Sequence, residues 1–282
     1  MKNQWVRAGL FLLFLFVASK LVPPHPVDPW GLFRPQKILF MFFALSALQV
    51  AGEVLTLWVG PRAGIIMTGF LGGILSSTAT TVNLAKESHE ANGSQTLRMA
   101  ALQSAILAML IQAGVLISAG GLEAFELVGL HFAILGLITV ALIALLWRRK
   151  SRQPHPAMAG TEDILDVKSS LKLTVFIVLI LAASKIVQEW AGGQGLMLLT
   201  FIISLFEVHG SLISTSQLLA AGKIDGAQYE RLIETSLLAS YVSKFALIAA
   251  ISNPGFRKRA LMTLAPPMLF LILHLLGWIH LL

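Results

Sequence analysis

Only 12% of the 282 residues are charged, whereas 56% are hydrophobic, and soluble globular chains contain about 25% charged residues. This composition excludes a water-soluble domain, and the absence of Cys excludes disulfides, thiolate metal ligands and cysteine nucleophiles. The basic residues behind the net charge of +7 lie at the ends of apolar segments. Loop charges of this kind orient membrane proteins, so we expect a membrane protein and no nucleic-acid partner.

Apolar blocks separated by short polar loops predict an all-α polytopic transmembrane helical bundle. About nine spans are expected, at residues 8–22, 37–58, 64–85, 98–119, 127–147, 170–190, 195–219, 232–252 and 260–281. The first could be a signal peptide, but Lys20 and two prolines follow it instead of a small-residue cleavage site, so we expect a leading helix. The prolines between His25 and Pro35 predict a non-helical interfacial connector.

The order of the spans predicts an internal repeat. A single constant displacement along the chain, which takes Lys37 to Lys168 and Gly64 to Gly195, superimposes the first set of spans on the second. We therefore expect a leading helix and Pro-rich connector, a first membrane repeat, a cytoplasmic linker and a second membrane repeat, at 1–36, 37–148, 149–167 and 168–282. Four crossings in each repeat predict parallel copies, and three crossings predict inverted ones.

Two spans turn polar near their middle, at positions related by the same displacement. The polar residues are Ser76, Ser77, Thr78, Thr80, Thr81 and Asn83 in the span 64–85, and Glu207, His209 and Ser211, followed by residues 214–217, in the span 195–219. Both patterns predict discontinuous helices that line one path for a solute or ion, and a break at Gly210 would let Glu207 and His209 face one cavity. Hydroxyls can instead bond back to carbonyls of their own helix, so two kinked and closely packed helices are the alternative.

Ionisable residues inside apolar spans are further candidates for this path, because each costs about 2.5–3.5 kcal/mol to insert. Lys244 lies near the middle of the span 232–252, and Glu207 or Glu53 is its expected counter-charge. A buried structural Lys–Glu pair is the alternative role for Lys244 and Glu207. Glu53 is within about two turns of a loop and could simply reach water.

The remaining polar residues carry no recognisable chemistry. Gln103 and Gln112 are expected to form interhelical hydrogen bonds, and His131, His274 and His280 show no spacing typical of metal ligands. No GxxxxGK[ST], GxGxxG, HExxH or GxSxG motif is present. We therefore expect no enzyme activity and no cofactor.

Two stretches, GPRAG at 60–64 and TGFLGGILSSTATT at 68–81, resemble the bacterial membrane family of domain of unknown function 4010. PWG at 29–31 and YVSK at 241–244 are similar to the same family. The resemblance implies a relation to MgtC/SapB-type proteins, although these residues contain no MgtC/SapB-type half. The family's Asp-Val-Asp-Ala stretch is replaced by EVHG at 207–210, so a two-carboxylate cation site is not implied.

These patterns favour a secondary transporter or channel-like permease of the bacterial inner membrane. Its expected partners are the lipid bilayer and an ion or small polar solute, and homo-oligomers are compatible with the sequence. The alternatives are a regulatory or assembly protein that binds partner helices and an intramembrane enzyme with Glu207 or His209 as base. Small-residue faces turned to lipid would favour partner binding, and polar clusters around an enclosed cavity would favour transport.

Overall fold

The structure is a computed structural model that describes residues 2–28, 34–59, 64–89, 94–148 and 192–279. Within these ranges the chain forms α-helices and no strands, as predicted. The helices are α1 (Lys2–Leu21), α2 (Pro35–Val59), α3 (Ile65–Glu87), α4 (Gln95–Gly120), α5 (Leu122–Arg148), α6 (Gly192–Ser204), α7 (Val208–Ala220), α8 (Gly226–Ile251) and α9 (Pro254–Leu275). The expected span 170–190 and linker 149–167 lie outside the described residues.

Five described helices, α3, α4, α5, α8 and α9, are long and apolar enough to cross a membrane. Their most apolar stretches differ in burial, from 78% in α4 to 28% in α5. A helix that is hydrophobic all round and buried belongs to the interior, whereas α5 turns large side chains such as Leu137 outward, as lipid-facing helices do. The protein is therefore a helical membrane protein, and the expected total of nine spans stays a prediction.

The chain divides into two compact units built from non-contiguous segments. One unit consists of residues 1–50, 113–130 and 163–240, and the other consists of residues 51–112, 131–162 and 241–282. Each unit contains one of the two spans that turn polar near their middle. The units therefore offer two separate examples of the same local feature.

In the first unit, cationic side chains donate hydrogen bonds to the backbone carbonyl groups at the C-terminal ends of two helices. Arg34 precedes Pro35, a residue favoured at the first position of a helix, and its guanidinium donates to the Ala220 carbonyl at the end of α7 at 2.5 Å. Lys37 donates from Nζ to the Gly120 carbonyl at the end of α4 at 2.8 Å. Positive charge is favourable at these ends because the helix dipole is negative there.

The second unit is organised around a backbone contact between α3 and α4. A Cβ placed on Gly69 would lie 2.3 Å from the Ala101 carbonyl oxygen, and one placed on Gly73 would lie 2.4 Å from the Ala105 Cα. Glycines four residues apart thus face alanines four residues apart. Small residues in this spacing allow membrane helices to pack at the closest distance.

Candidate functional site

The helix α3 is interrupted at Ser76, whose backbone is extended with φ −164° and ψ 105°. The Ser76 hydroxyl accepts a hydrogen bond from the Ala79 backbone N–H at 3.2 Å, which caps the second half of the helix. On the other side of the break, the Ile74 carbonyl accepts a bond from Gln112 Nε2 of α4 at 2.6 Å. Both ends of this break are therefore hydrogen-bonded within the second unit.

The polar side chains of α3 point to two different faces. Ser77, Thr80 and Thr81 are buried, whereas Ser76, Thr78 and Asn83 are exposed. Thr81 donates to the Ser77 carbonyl of its own helix at 2.7 Å, and the Thr80 hydroxyl lies 2.7 Å from where a Cβ on Gly72 would be. For Thr81 and Thr80, helix bonding and close packing account for the buried hydroxyls.

The second break separates α6 from α7 and is centred on Glu207, whose φ is −146° and ψ is 94°. Glu207 Oε1 accepts the His209 backbone N–H at 2.9 Å and lies 3.3 Å from His209 Nδ1. The break lies at Glu207 and not at Gly210, which is helical within α7. An acidic N-cap satisfies the first N–H groups of the half-helix, so no glycine is required there.

Some hydroxyls of α7 bond to α8. Ser211 Oγ lies 2.9 Å from Ser236 Oγ, and Ser236 also donates to the Leu232 carbonyl of its own helix at 3.0 Å. Ser216 Oγ lies 3.3 Å from the Tyr229 hydroxyl. The predicted site residue Ser211 thus contributes to helix packing.

Other buried polar atoms at this break have no hydrogen-bond partner among the described residues. They are Ser204 Oγ, His209 Nε2, Ser214 Oγ, and both Oε1 and Nε2 of Gln217. The Gln217 side chain is 0% exposed and Ser214 is 2% exposed. These two residues are three positions apart and share one face of α7, so three polar atoms without partners lie along a single stripe.

Ser204 was not predicted as a site residue, whereas Gln217 belongs to the stretch 214–217 of the predicted polar cluster. Gln217 is visible as an amide inside an apolar span, but Ser204 is indistinguishable by pattern from the other isolated hydroxyls. The predicted Glu53 side chain lies outside the described residues. Whether the clusters of the two broken helices share one cavity stays a prediction.

Lys244 is buried, with 1% of its surface exposed, as its position in the span predicted. Its Nζ donates to Met109 Sδ of α4 at 3.3 Å, a weak acceptor for an ammonium group. The expected pairing of Lys244 with a carboxylate stays a prediction. Gln112 and Gln103 form the expected interhelical bonds, the second to Thr263 Oγ1 of α9 at 2.9 Å.

Two of the histidines that show no ligand spacing in the sequence are in contact in the structure. His131 on α5 and His274 on α9 approach to 3.3 Å between their Nε2 atoms. Their rings are edge-to-face, with centroids 4.4 Å apart. No sequence signal indicates this contact, because 143 residues separate the two positions.

Apolar helices of spanning length, together with two helices broken at N-capped polar positions, define an integral membrane protein of the helical type. A family model described as Domain of unknown function (DUF4010) matches residues 44–252, about three-quarters of the 282 residues. The chain belongs to this family, which confirms the family resemblance found in the sequence. No curated protein and no solved structure matches the chain significantly.

Proposed function

We propose that this protein is a secondary transporter or channel-like permease for an ion or small polar solute, located in the bacterial inner membrane. The observation that carries the proposal is the row of buried polar atoms along α7, at Ser214 and Gln217, that have no hydrogen-bond partner in the described part of the chain. Leaving one such group unsatisfied costs about 1–3 kcal/mol. A polar ligand or a file of water molecules would supply the missing hydrogen bonds.

The side chains of this stripe are suited to bind a polar solute or ion. Gln217 offers both a donor and an acceptor, and Ser214 offers a hydroxyl that can serve as either. At the break itself, Glu207 lies beside His209, so a carboxyl group and an imidazole lie together at the end of the stripe. A small polar solute or a partly hydrated cation fits this combination, whereas an apolar molecule does not.

A repeated architecture supports the same proposal. The displacement that takes Lys37 to Lys168 also takes the broken position Ser76 to the broken position Glu207, and it takes both ends of α4 to the ends of α8. We infer that the two halves are internal repeats. In secondary transporters, helices broken at corresponding positions of two repeats form the substrate site.

The alternative of a protein that binds partner helices is favoured less. Gly69 and Gly73, the most conspicuous small residues, are turned toward α4 within the same unit and are not presented to lipid. An intramembrane hydrolase is favoured least. The Nε2 of His209 has no partner among the described residues, so no serine is placed there to complete a nucleophile–base arrangement.

Cysteine accessibility tests the proposed path without knowledge of the solute. The chain contains no Cys, so a single Gln217→Cys or Ser214→Cys substitution can be read directly with membrane-impermeant thiol reagents. We expect both variants to react in intact membranes, and faster with a cationic than with an anionic reagent because of Glu207. Ala108→Cys is the matched control, since Ala108 is 0% exposed and lies in an apolar cluster.

The outcome is decided by the rates of modification. Reaction of Gln217→Cys at least about tenfold faster than Ala108→Cys would support a wet path, and that ratio corresponds to about 1.4 kcal/mol, the size of one hydrogen bond. If both α7 variants react as slowly as Ala108→Cys, the stripe is dry and the transport proposal fails.

A further inference from the structure

Two histidines of the second unit form a pair that the proposed path along α7 does not use. His131 is 2% exposed and lies in the span-forming helix α5, and His274 lies in the last turn of α9. Their Nε2 atoms face each other at 3.3 Å. Imidazoles are costly inside apolar helices and mark functional positions there. The contact between these two rings therefore requires a chemical explanation.

We propose that His131 and His274 bind a divalent transition-metal ion of the Zn²⁺ class through their Nε2 atoms. Zinc–imidazole bonds are about 2.0–2.1 Å long, and a tetrahedral angle between two of them separates the nitrogens by about 3.3 Å. The observed separation is 3.3 Å. A direct hydrogen bond between nitrogen and an acceptor is more often about 2.9–3.0 Å.

The surroundings of the pair suit a fixed coordination geometry. Both histidines stand on helices and not on loops, and Phe270 of α9 packs against both rings, with centroids 6.2 Å from His131 and 6.4 Å from His274. Rigid elements hold ligand geometry better than loops do. The remaining coordination positions would be filled by water or by oxygen ligands.

The donor type also defines which ions are selected. Imidazole nitrogen suits Zn²⁺, Cu²⁺, Ni²⁺ and Co²⁺, whereas Mg²⁺ and Ca²⁺ prefer oxygen ligands. The site therefore discriminates by chemistry between transition metals and the alkaline-earth ions. None of its residues belongs to the α7 stripe, so transport could fail as a proposal while the metal site stands, and the reverse.

Zinc titration of the purified full chain, with any affinity tag removed, tests the site. A chromophoric chelator that competes for Zn²⁺ should report one tight equivalent for the wild type. We expect His131→Ala and His274→Ala each to weaken Zn²⁺ binding by at least about tenfold, since even partners outside the coordination shell change affinity by about 10–100-fold. His25→Ala is the control, because His25 is exposed and lies before α2.

Unchanged affinity in both variants, or an equal loss in His25→Ala, would overturn the proposal. If either variant fails to fold, the wild-type protein loaded with Co²⁺ decides. Visible absorption typical of tetrahedral Co²⁺, together with X-ray absorption that shows two imidazole nitrogens at about 2.0–2.1 Å, is the expected result. Fewer than two imidazole ligands, or Mg²⁺ competing as well as Zn²⁺, would show that the histidines are only a hydrogen-bonded pair.

Discussion

The two broken helices share a backbone design and differ in how their polar atoms are satisfied. In α3, Gln112 bonds the carbonyl end of the break and Ser76 caps the next half-helix. Around α7, the cap is the charged Glu207, and the buried atoms of Ser214 and Gln217 have no partner among the described residues. A cluster of hydroxyls in a span therefore does not define a site. What distinguishes a candidate path is a buried polar group that the described residues leave without a hydrogen-bond partner.

The largest loss of stability is expected for a substitution at the contact between α3 and α4. Gly73→Ala would place a methyl group 2.4 Å from the Ala105 Cα, and backbone atoms on both sides leave it no room. We expect a loss of about 3 kcal/mol or more in unfolding free energy, at the upper end of overpacking effects. Thermal unfolding in detergent would measure it.

Two controls make this prediction specific. Gly136 in α5 has no atom within 4 Å of an added Cβ, so Gly136→Ala should stabilise the helix by up to about 1 kcal/mol. The constant displacement that takes Lys37 to Lys168 takes Gly73 to Ser204. That position already accommodates a side chain, so a destabilised Ser204→Ala variant would contradict the comparison.

The next largest effect is a difference in stability between substitutions at two glutamines. Gln112→Leu removes the donor to the Ile74 carbonyl and leaves that carbonyl buried, so we expect a loss of about 1–3 kcal/mol. Gln217→Leu removes an amide that has no partner among the described residues, so stability should be unchanged or slightly raised. Unfolding of both variants in the same detergent checks this, and equal destabilisation would show that Gln217 is bonded within the protein.

Removal of either N-cap should cause a smaller loss of stability, of equal size for the two broken helices. Ser76→Ala and Glu207→Ala each remove one side-chain acceptor from a half-helix, which typically costs about 0.5–2 kcal/mol. Only Glu207→Ala should also change the preference for a cationic thiol reagent at Gln217→Cys. A charge preference that survives Glu207→Ala would remove Glu207 from the path.

The smallest effect is expected for a hydroxyl that is bonded to its own helix. Thr81 donates to the Ser77 carbonyl, and such bonds contribute little to helix stability. Thr81→Val should therefore change unfolding free energy by less than about 0.5 kcal/mol and leave thiol accessibility at Gln217→Cys unaltered. A change in accessibility would return the α3 cluster to the path.

Much of the local architecture could be predicted from the sequence, because hydropathy sets where membrane helices run. The polar residues at Ser76 and Glu207 correctly predicted two discontinuous helices. The position of the second break was not fixed by the sequence, because an acidic N-cap such as Glu207 can begin a half-helix where a glycine such as Gly210 could also interrupt one.

The hydrogen bonds could not be predicted in the same way. Ser211 and Ser214 are equivalent by pattern, yet only Ser211 meets a hydroxyl of α8, and that depends on helix rotation and side-chain rotamers. The contact between His131 and His274 depends on which helices are neighbours in the fold. Apolar stretches of similar length do not encode that choice.

The length of α7 has an electrical consequence. Its 13 residues extend about 20 Å, less than the hydrocarbon thickness of about 30 Å, so α7 does not cross a bilayer by itself. On the proposed path, α6 and α7 would together form one span, with Glu207 between them and near its middle. In that arrangement, a cation that reached Glu207 from either face would have crossed about half of the transmembrane voltage. Since a full crossing corresponds to about 2.3 kcal/mol per 100 mV, occupancy of this position would respond to membrane potential by about half that energy.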